Sequence, residues 1–411
     1  MATLPSVPAE SALAERILAQ IDREALAADC LAYVSVPSET RQETAGAQFL
    51  ADLIRRRGWD VELDDAAPGR PNVMAHLPGA SDGAGTDGGP TLLLNGHVDT
   101  IPIGKSWPPR RDDHWIWGRG AEDMKAGLVA MVHAAHALER AGVRLRGDLW
   151  LSGVVGHETP AGKKEGPLHL IERLRAGQPR VDAILIVEGP CAIWRASLGS
   201  AIFTLTLRAA GPPLHTLLVP YRNNPVRALR CLLDELDHLD ASLAALPPHP
   251  LAGPDQLNVG IISAGDYPNR LPVELRVTGT RRWGPARSAA TVLQELTDLV
   301  ERAALAGGIE GMTGEAALDA AREPFETATD HPLVQALRAS GERVGGHAPQ
   351  EIGLALVGDA SLYVNALHLP TAYYGPGYET AHSDAERVSI DRLVHITGVY
   401  ALTALAYCGQ A

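Results

Sequence analysis

The chain has 411 residues, of which 45% are hydrophobic, and a formal net charge of −13. This length exceeds the roughly 250–300 residues at which a single core stops growing, so more than one domain is expected. The acidic balance argues against nucleic acids and anionic membrane surfaces as partners, because both require a basic patch.

Helical patterns and short apolar strands alternate in the first half of the chain. Helical periodicity spans residues 9–34, and a second helix is predicted around 49–54, ending at Gly58. Apolar runs at 72–77, 91–95, 149–155 and 181–187 are predicted strands. This alternation predicts an α/β fold with a mostly parallel sheet covered by helices on both faces.

The pattern changes near residue 197. Phe203, Leu205 and Leu207 alternate with threonines, which indicates a half-buried strand. A helix at 225–239, strands at 257–262 and 273–277 and a helix at 288–305 complete an inserted α+β unit. The first pattern then returns with a helix at 331–344, apolar segments at 352–357 and 371–374 and a last helix at 390–407. The larger domain is therefore predicted as residues 1–196 plus 313–411, and the inserted domain as 197–312.

Neither a leader nor a membrane anchor is expected. The N-terminus lacks a basic start followed by an apolar run, and no uninterrupted apolar stretch has the length of a membrane helix. The four cysteines, at 30, 191, 231 and 408, are scattered, so we predict buried reduced thiols. These features predict a cytoplasmic protein.

Charged residues follow several of the predicted strands. His97 and Asp99 end one apolar run, His157 and Glu158 follow another, and Glu188 follows a third. Two further residues join this set: His382 follows a Gly-Pro-Gly turn, and Asp123 lies where a Gly-rich turn enters a helix that runs to about residue 138. Ligands gather at the carboxyl ends of the strands in open α/β sheets, so we expect these side chains to lie on one face.

Imidazole and carboxylate together favour Zn²⁺, Mn²⁺ or Co²⁺ over Ca²⁺ or Mg²⁺. Two histidines and three carboxylates can hold two ions if one carboxylate bridges them, and such a pair activates water and polarises a carbonyl. Asp99 follows His97 by two residues and is a candidate to accept the other ring N–H of that histidine. Each residue also has an ordinary interpretation, since Asp123 alone resembles a helix cap and Glu158 or Glu188 a solvated loop charge.

The motifs around these residues resemble the M20 family of metallopeptidases and amidohydrolases. The segments that carry the resemblance occur in family order: NGHVDTIP, GRGAEDMKAG, GHETPAG, VEGP, LNVGIISAGDYPNRLP and YGPGYETAHSDAERV. The resemblance covers nearly the whole chain. It implies a zinc-hydrolase catalytic domain, formed by the larger domain, and an inserted lid and dimerisation domain, so a homodimer or higher homo-oligomer is expected.

The resemblance also implies roles for individual residues. One metal ion would be held by His97 and Glu188, the other by Glu158 and His382, with Asp123 bridging both. In the lid, His215 would reach the active site of a partner subunit and, with Asn269, face the oxyanion, while Arg282 would bind a carboxylate of a small-molecule substrate. A surface role for His215 and Arg282 is the alternative.

The chain departs from the family pattern at His157. The family has two adjacent glutamates here, and the first is the general base. A histidine can serve as a base near neutral pH, but it does not supply the negative charge of a carboxylate beside two cations. We therefore expect one or two divalent transition metal ions, with His157 as the candidate base. A milder departure is Thr280, two residues before Arg282, where the family tends to have aspartate.

Three functions fit these residues. The first is a hydrolase that cleaves the C–N bond of an amide, an N-acyl amino acid or a small peptide-like substrate with metal-activated water. The second is an atypical aminohydrolase acting on a non-peptide C–N bond, such as hydrolytic deamination of a nitro-substituted aminobenzoate. The third is a ligand-binding homologue that has lost catalysis, against which the intact ligand set argues.

Overall fold

A computed structural model describes residues 7–80, 88–158 and 160–411 of the chain. They form two compact units. The first unit contains the described residues up to Arg195 together with Thr327–Ile352 and Leu362–Ala411. The second contains Ala196–Glu326 and Gly353–Ser361.

Helices and strands alternate along much of the chain. The helices are α1 (Val7–Leu18), α2 (Arg23–Val34), α3 (Thr44–Arg55), α4 (Lys125–Arg140), α5 (Glu165–Arg175), α6 (Ala228–Ala244), α7 (Ala289–Ala306), α8 (Pro332–Gly345), α9 (Ala360–Leu367) and α10 (Ile390–Cys408). The strands are β1 (Val61–Ala67), β2 (Arg70–Leu77), β3 (Leu92–His97), β4 (Arg110–Arg111), β5 (Trp115–Trp117), β6 (Leu149–Val154), β7 (Ala183–Ile186), β8 (Ile193–Ser197), β9 (Gly199–Arg208), β10 (Gln256–Ala264), β11 (Glu274–Trp283), β12 (Thr313–Arg322), β13 (Phe325–Glu326), β14 (Glu351–Leu354), β15 (Thr371–Tyr373) and β16 (Arg387–Ser389).

The first unit is built on a mixed sheet in the order β1-β2-β6-β3-β7-β15-β8. The pairs of β3 with β6, β3 with β7 and β7 with β15 are parallel. The pairs of β1 with β2, β2 with β6 and β15 with β8 are antiparallel. The predicted α/β fold is confirmed, and its parallel strands are confined to the centre of the sheet.

Burial explains why the central strands form. Every residue of β3 and β7 is buried, as continuous apolar runs of parallel strands require. Helices α4 and α10 pack against each other and against β3, and α3 and α5 pack against β1 and β2. The sheet centre is thus a rigid base for the residues that follow its strands.

The first helical pattern is two helices rather than one. The prediction of a single helix over 9–34 was wrong, because α1 ends at Leu18 and α2 begins at Arg23. The side chain of Asp22 accepts hydrogen bonds from the backbone N–H groups of Glu24 and Ala25. This N-cap starts a new helix where periodicity alone shows no break.

The second unit has its own antiparallel sheet and core. Its sheet has the order β10-β11-β9-β12, and α6 and α7 supply apolar residues to the core, including Leu232, Leu236 and Leu296. Strand β12, Thr313–Arg322, pairs with β9 and belongs to this unit. The unit therefore extends past residue 312, the predicted end of the inserted domain, because β12 completes its sheet.

Two further expectations concern thiols and membranes. All four cysteines are free thiols, of which Cys30 and Cys408 are buried and Cys191 and Cys231 are half-buried. Within the described ranges, no helix combines the length and the apolar character that a bilayer crossing requires.

Candidate active site

Three neighbouring parallel strands end at the same edge of the sheet. His97 is the last residue of β3 and is opposite Val154, the last residue of β6. His157 and Glu158 follow β6, and Glu188 follows β7, the other neighbour of β3. Parallel strands share the direction of their carboxyl ends, so the sheet brings these side chains to one edge.

Asp123 lies between two imidazoles. Its Oδ1 is 3.0 Å from Nε2 of His97, and its Oδ2 is 3.3 Å from Nε2 of His382. It does not cap the helix that follows, since Met124 occupies the N-cap position and no side chain caps that end. Asp123 is 4% exposed, so both of its oxygens face their partners in a largely water-excluded setting.

His382 also contacts a second carboxylate. Its Nε2 is 3.2 Å from Oε1 of Glu158, which is buried. The backbone at His382 has φ +65°, the left-handed region that a residue with a Cβ seldom occupies. Such backbone conformations occur at functional sites, where the surrounding structure holds them.

Two groups of three donors have the spacing of a metal site. The ligand atoms of His97, His157 and Glu188 lie within 4.8 Å of one another, as do those of His97, Asp123 and Glu158. Together with His382, the structure thus brings all five predicted ligands into one cluster. It adds His157 to the same cluster.

Asp99 supports the site in a different way from the one predicted. The partner of Nδ1 of His97 is the backbone oxygen of Asp99, at 2.8 Å, whereas the carboxylate is 3.6 Å away. The carboxylate instead accepts the backbone N–H groups of His157, at 3.0 Å, and Glu158, at 2.9 Å, and the hydroxyl of Thr40, at 3.0 Å. Asp99 therefore fixes the backbone that carries the two residues after β6.

The imidazole of His157 is held on two sides. Its ring stacks on that of His97, with centroids 4.0 Å apart and an interplanar angle of 3°. Its Nδ1 is 3.0 Å from Nζ of Lys164, a buried residue whose own backbone is left-handed at φ +61°. These contacts leave the ring little freedom to turn.

The clustered carboxylates set the protonation of the histidines. Burial alone lowers the pKa of His97, but the hydrogen bond and charge of Asp123, with the charges of Asp99 and Glu188, raise it well above the ordinary value. Asp123 and Glu158 raise the pKa of His382 to about 10. Hydrogen bonds from His382 and His97 outweigh burial and lower the pKa of Asp123. A field that favours positive charge this strongly also favours a cation.

The three predicted lid residues lie in the second unit. Nε2 of His215 is 3.2 Å from Nδ2 of Asn269, so these two candidates are neighbours. Arg282 lies on β11 and donates a hydrogen bond to the backbone oxygen of Ala355. Thr280, on the same strand, pairs with Asn258 and Ile202.

Sequence reasoning missed three residues beside the site. Lys164 contacts His157, and Glu386 accepts the backbone N–H groups of Glu122 and Asp123 at 3.0 and 3.1 Å. Tyr378 is 39% exposed, and burial together with the charges of Asp123, Glu188 and Glu158 raises the pKa of its phenol. The motif YGPGYETAHSDAERV contains both Tyr378 and Glu386, so their presence in that segment was the signal available.

The family model for peptidase family M20/M25/M40 matches residues 93–406. The chain belongs to this family. It is 25% identical to the N-formyl-4-amino-5-aminomethyl-2-methylpyrimidine deformylase of Bacillus subtilis, over 91% of this chain and 92% of that protein. It is 28% identical to the succinyl-diaminopimelate desuccinylase of Cereibacter sphaeroides, over 92% of this chain and 97% of that protein. The chain is therefore an M20 hydrolase.

Solved structures share the fold. Aminopeptidase PepT of Bacillus cereus superposes with a TM-score of 0.75 at 19% identity, covering 95% of this chain and 99% of that one. A dinuclear metal-binding peptidase of the M20 family from Bacillus subtilis gives 0.66 at 16% identity, covering 93% and 97%. At these identities the likeness shows the M20 fold alone.

Proposed function

We propose that this M20 hydrolase cleaves the C–N bond of a small N-acylated amine or amino acid with the help of one or two divalent transition metal ions. The observation that carries the proposal is Asp123, whose two oxygens each face a different histidine at 3.0 and 3.3 Å. A carboxylate shared in this way is suited to bridge two ions. The relatives named as a deformylase and a desuccinylase support removal of an acyl group as the reaction class.

The chemistry of the donor set fits such ions. His97 and Glu188 would hold one ion, Glu158 and His382 the other, and Asp123 both. Mixed imidazole and carboxylate donors suit Zn²⁺, Mn²⁺ or Co²⁺, and the donors are preassembled, with His97, Asp123, Glu158 and Glu188 each at most 8% exposed. When bound, such ions supply an activated water and polarise the carbonyl of the substrate.

His157 occupies the sequence position of the family's general base, and its contact with Lys164 determines which of its ring nitrogens donates a hydrogen bond. A lysine ammonium has three donors and no acceptor, so its contact at 3.0 Å makes Nδ1 of His157 the acceptor. With Nδ1 as the acceptor, the proton of the ring lies on Nε2. In that tautomer His157 is a hydrogen-bond donor, which we assign to the negative charge that develops on the carbonyl oxygen.

The lid residues would complete the binding of the substrate. His215 and Asn269 are adjacent in the second unit, and both offer ring or amide N–H groups. We propose that they donate to the same oxygen in a dimer, and that Arg282 binds a carboxylate of the substrate. These roles follow from the family resemblance and from the proximity of His215 to Asn269.

The test is a substrate screen on the metal-loaded protein. N-formyl, N-acetyl and N-succinyl amino acids and amines are incubated with protein that was stripped with a chelator and reloaded with Zn²⁺, Mn²⁺ or Co²⁺. We expect release of a free amine and a carboxylic acid, dependent on added metal, and loss of this activity in Asp123→Asn. Acyl substrates that stay intact under all three metals would contradict the proposal.

A second candidate function is hydrolytic deamination of a non-peptide C–N bond. The observation that favours it is His157 with Lys164, because a donor replaces the carboxylate base that amide cleavage uses in this family. Adding a nitro-substituted aminobenzoate to the same screen separates the two functions, since its deamination would release ammonia and form no new carboxylic acid.

A further inference from the structure

A cavity of ≈ 140 Å³ lies in the first unit beside the segment after α2 and the loop after β3. Its wall includes Ser38, Thr100, Ser106 and Trp107, and Arg119 and Lys125 line it as well. None of the candidate metal ligands lines it, nor do Asp99 and His157. The cavity is therefore separate from the candidate active site.

Two buried cations line this cavity, and no acidic residue in the described part of the chain lines it with them. Arg119 is 7% exposed and Lys125 is 2% exposed, and the lining residues that the structure describes include no Asp or Glu. Arg119 pairs through one terminal nitrogen with Glu386 at 2.5 Å. Nζ of Lys125 donates to the backbone oxygen of Val36 at 2.6 Å, and among the described residues no carboxylate lies within ion-pair distance of it. The ammonium of Lys125 thus has no described carboxylate in direct contact, so an anion bound in the cavity would stabilise it.

Three further polar atoms at the cavity have no partner among the described residues. They are Nε of Arg119, Oγ1 of Thr100 and Oγ of Ser106, and each atom is buried. Buried donors in folded proteins are nearly always hydrogen-bonded to protein, solvent or a ligand. Their convergence on one cavity, together with the two cations, describes a site built to receive an acceptor.

We propose that this cavity binds a small monoanion, and specifically a short-chain monocarboxylate. A carboxylate has two oxygens with about four acceptor sites, which matches the guanidinium, the ammonium and the two hydroxyls. The wall of Trp107, Pro108 and Pro109 is apolar and suits a short hydrocarbon tail. A cavity of about 150 Å³ in another protein holds a molecule as large as benzene, so the volume is sufficient.

A single ion pair connects this cavity to the backbone that carries Asp123, one of the candidate metal ligands. Arg119 donates to Oε2 of Glu386, and Oε1 of Glu386 accepts the backbone N–H groups of Glu122 and Asp123. A carboxylate bound at Nε of Arg119 would share that guanidinium with Glu386. The bound ligand and the backbone of Asp123 would thus both contact the Arg119–Glu386 ion pair.

The experiment is ligand-observed NMR by saturation transfer on the full metal-loaded chain. The probes are acetate, propionate and butyrate, their amides, and chloride as a competitor. We expect the carboxylates to bind at least about tenfold more tightly than the amides, with affinity rising along the series. Absence of propionate binding would overturn the organic ligand, and equal binding of amides would overturn the anion site.

Variants locate the binding. The double change Thr100→Val and Ser106→Ala should weaken propionate binding by about tenfold or more, and Ser106→Leu should abolish it by filling the cavity. Ser340→Ala is the matched control, since the hydroxyl of Ser340 is also buried without a described partner but lies outside this cavity. If Ser106→Leu still binds propionate, the carboxylate binds elsewhere, such as at the candidate metal ligands. That result would overturn the proposal. If Ser106→Leu melts early, Ser106→Val replaces it.

Discussion

Lys164 allows the role of His157 to be tested at a single side chain. Lys164→Met keeps the length and the apolar stem but removes the ammonium that contacts Nδ1 of His157 at 3.0 Å. The ring then loses the group that fixes its tautomer, so we expect kcat to fall by about 10–100-fold. Metal content, measured by elemental analysis, should stay unchanged, because Lys164 is not one of the five proposed ligands.

The neighbouring lysine provides the control. Lys163 is exposed, so Lys163→Met should change kcat less than about twofold. If Lys164→Met retained full kcat, the tautomer assigned to His157 would be wrong. If it lost metal instead, His157 would be a ligand, as its place beside His97 and Glu188 also allows.

The clustering of the candidate ligands could be predicted from the sequence, and the contacts that hold them in place could not. His97, Glu158 and Glu188 each follow an apolar run, and strand ends of a parallel sheet meet at one edge. Lys164 reaches His157 through a turn with a left-handed residue, a conformation that the sequence does not reveal. The contact of Nδ1 of His97 with a backbone oxygen rather than the Asp99 carboxylate is equally invisible in a residue pattern.

The start of α4 depends on a buried ion pair. The side chains of Arg119 and Glu386 are 6% and 1% exposed, and Glu386 also accepts the backbone N–H groups of Glu122 and Asp123. Glu386→Gln leaves the buried guanidinium without its anion, so we expect the free energy of unfolding to fall by about 3–5 kcal/mol. Chemical denaturation measures this loss.

A more exposed ion pair shows what a surface charge contributes. Glu379 pairs with Arg392 and is 63% exposed, so Glu379→Gln should cost less than about 1 kcal/mol. If Glu386→Gln and Glu379→Gln lowered the free energy of unfolding equally, burial would not set the strength of the Glu386 ion pair.

Asp29 links three helices and predicts a dependence of stability on pH. It lies on α2 and accepts hydrogen bonds from Arg57, just after α3, and from His133 on α4, at 3.0 and 2.9 Å. Burial raises its pKa, but His133, Arg57 and Arg56 together lower it below 3.8. The stabilisation is therefore complete above pH 3.8 and is lost as the pH falls through the lower pKa of the folded state.

The measurement compares Asp29→Asn with the unchanged protein at several pH values. At pH 7 the variant should be less stable by about 1–3 kcal/mol, and the difference should shrink towards pH 3. Asp52→Asn is the control, since Asp52 is 50% exposed and should show little difference at either pH. A stability difference between the two proteins that stays constant down to pH 3 would mean that the charge of Asp29 does not contribute to stability.

At the scale of the molecule, the sequence predicts an inserted domain that ends at residue 312, whereas the second unit continues to Glu326. The change from mostly buried strands to alternating ones marks the start of the second unit, and that change is visible in the residues. The end of the second unit is not visible in the residues, because β12 alternates exposed and half-buried residues and pairs with β9 from a distant part of the chain. Pairing between distant strands is set by tertiary packing, which a local pattern does not contain.

The second unit exposes an apolar edge strand, and this predicts a dimer. Strand β10 is at the end of the sheet order, and Ile261 and Ile262 on it are 63% and 47% exposed. An unprotected apolar edge is a template for pairing with another chain, and the family resemblance assigns dimerisation to this domain. We expect a homodimer in sedimentation and a monomer after Ile261→Glu, because a charge at the paired edge is unfavourable.

Leu305→Glu is the control, since Leu305 is 82% exposed and lies on α7 rather than on the edge strand. If His215 acts across the interface, Ile261→Glu should also lower kcat strongly while leaving metal content unchanged. A protein that is monomeric and fully active would refute both the dimer and the role of His215.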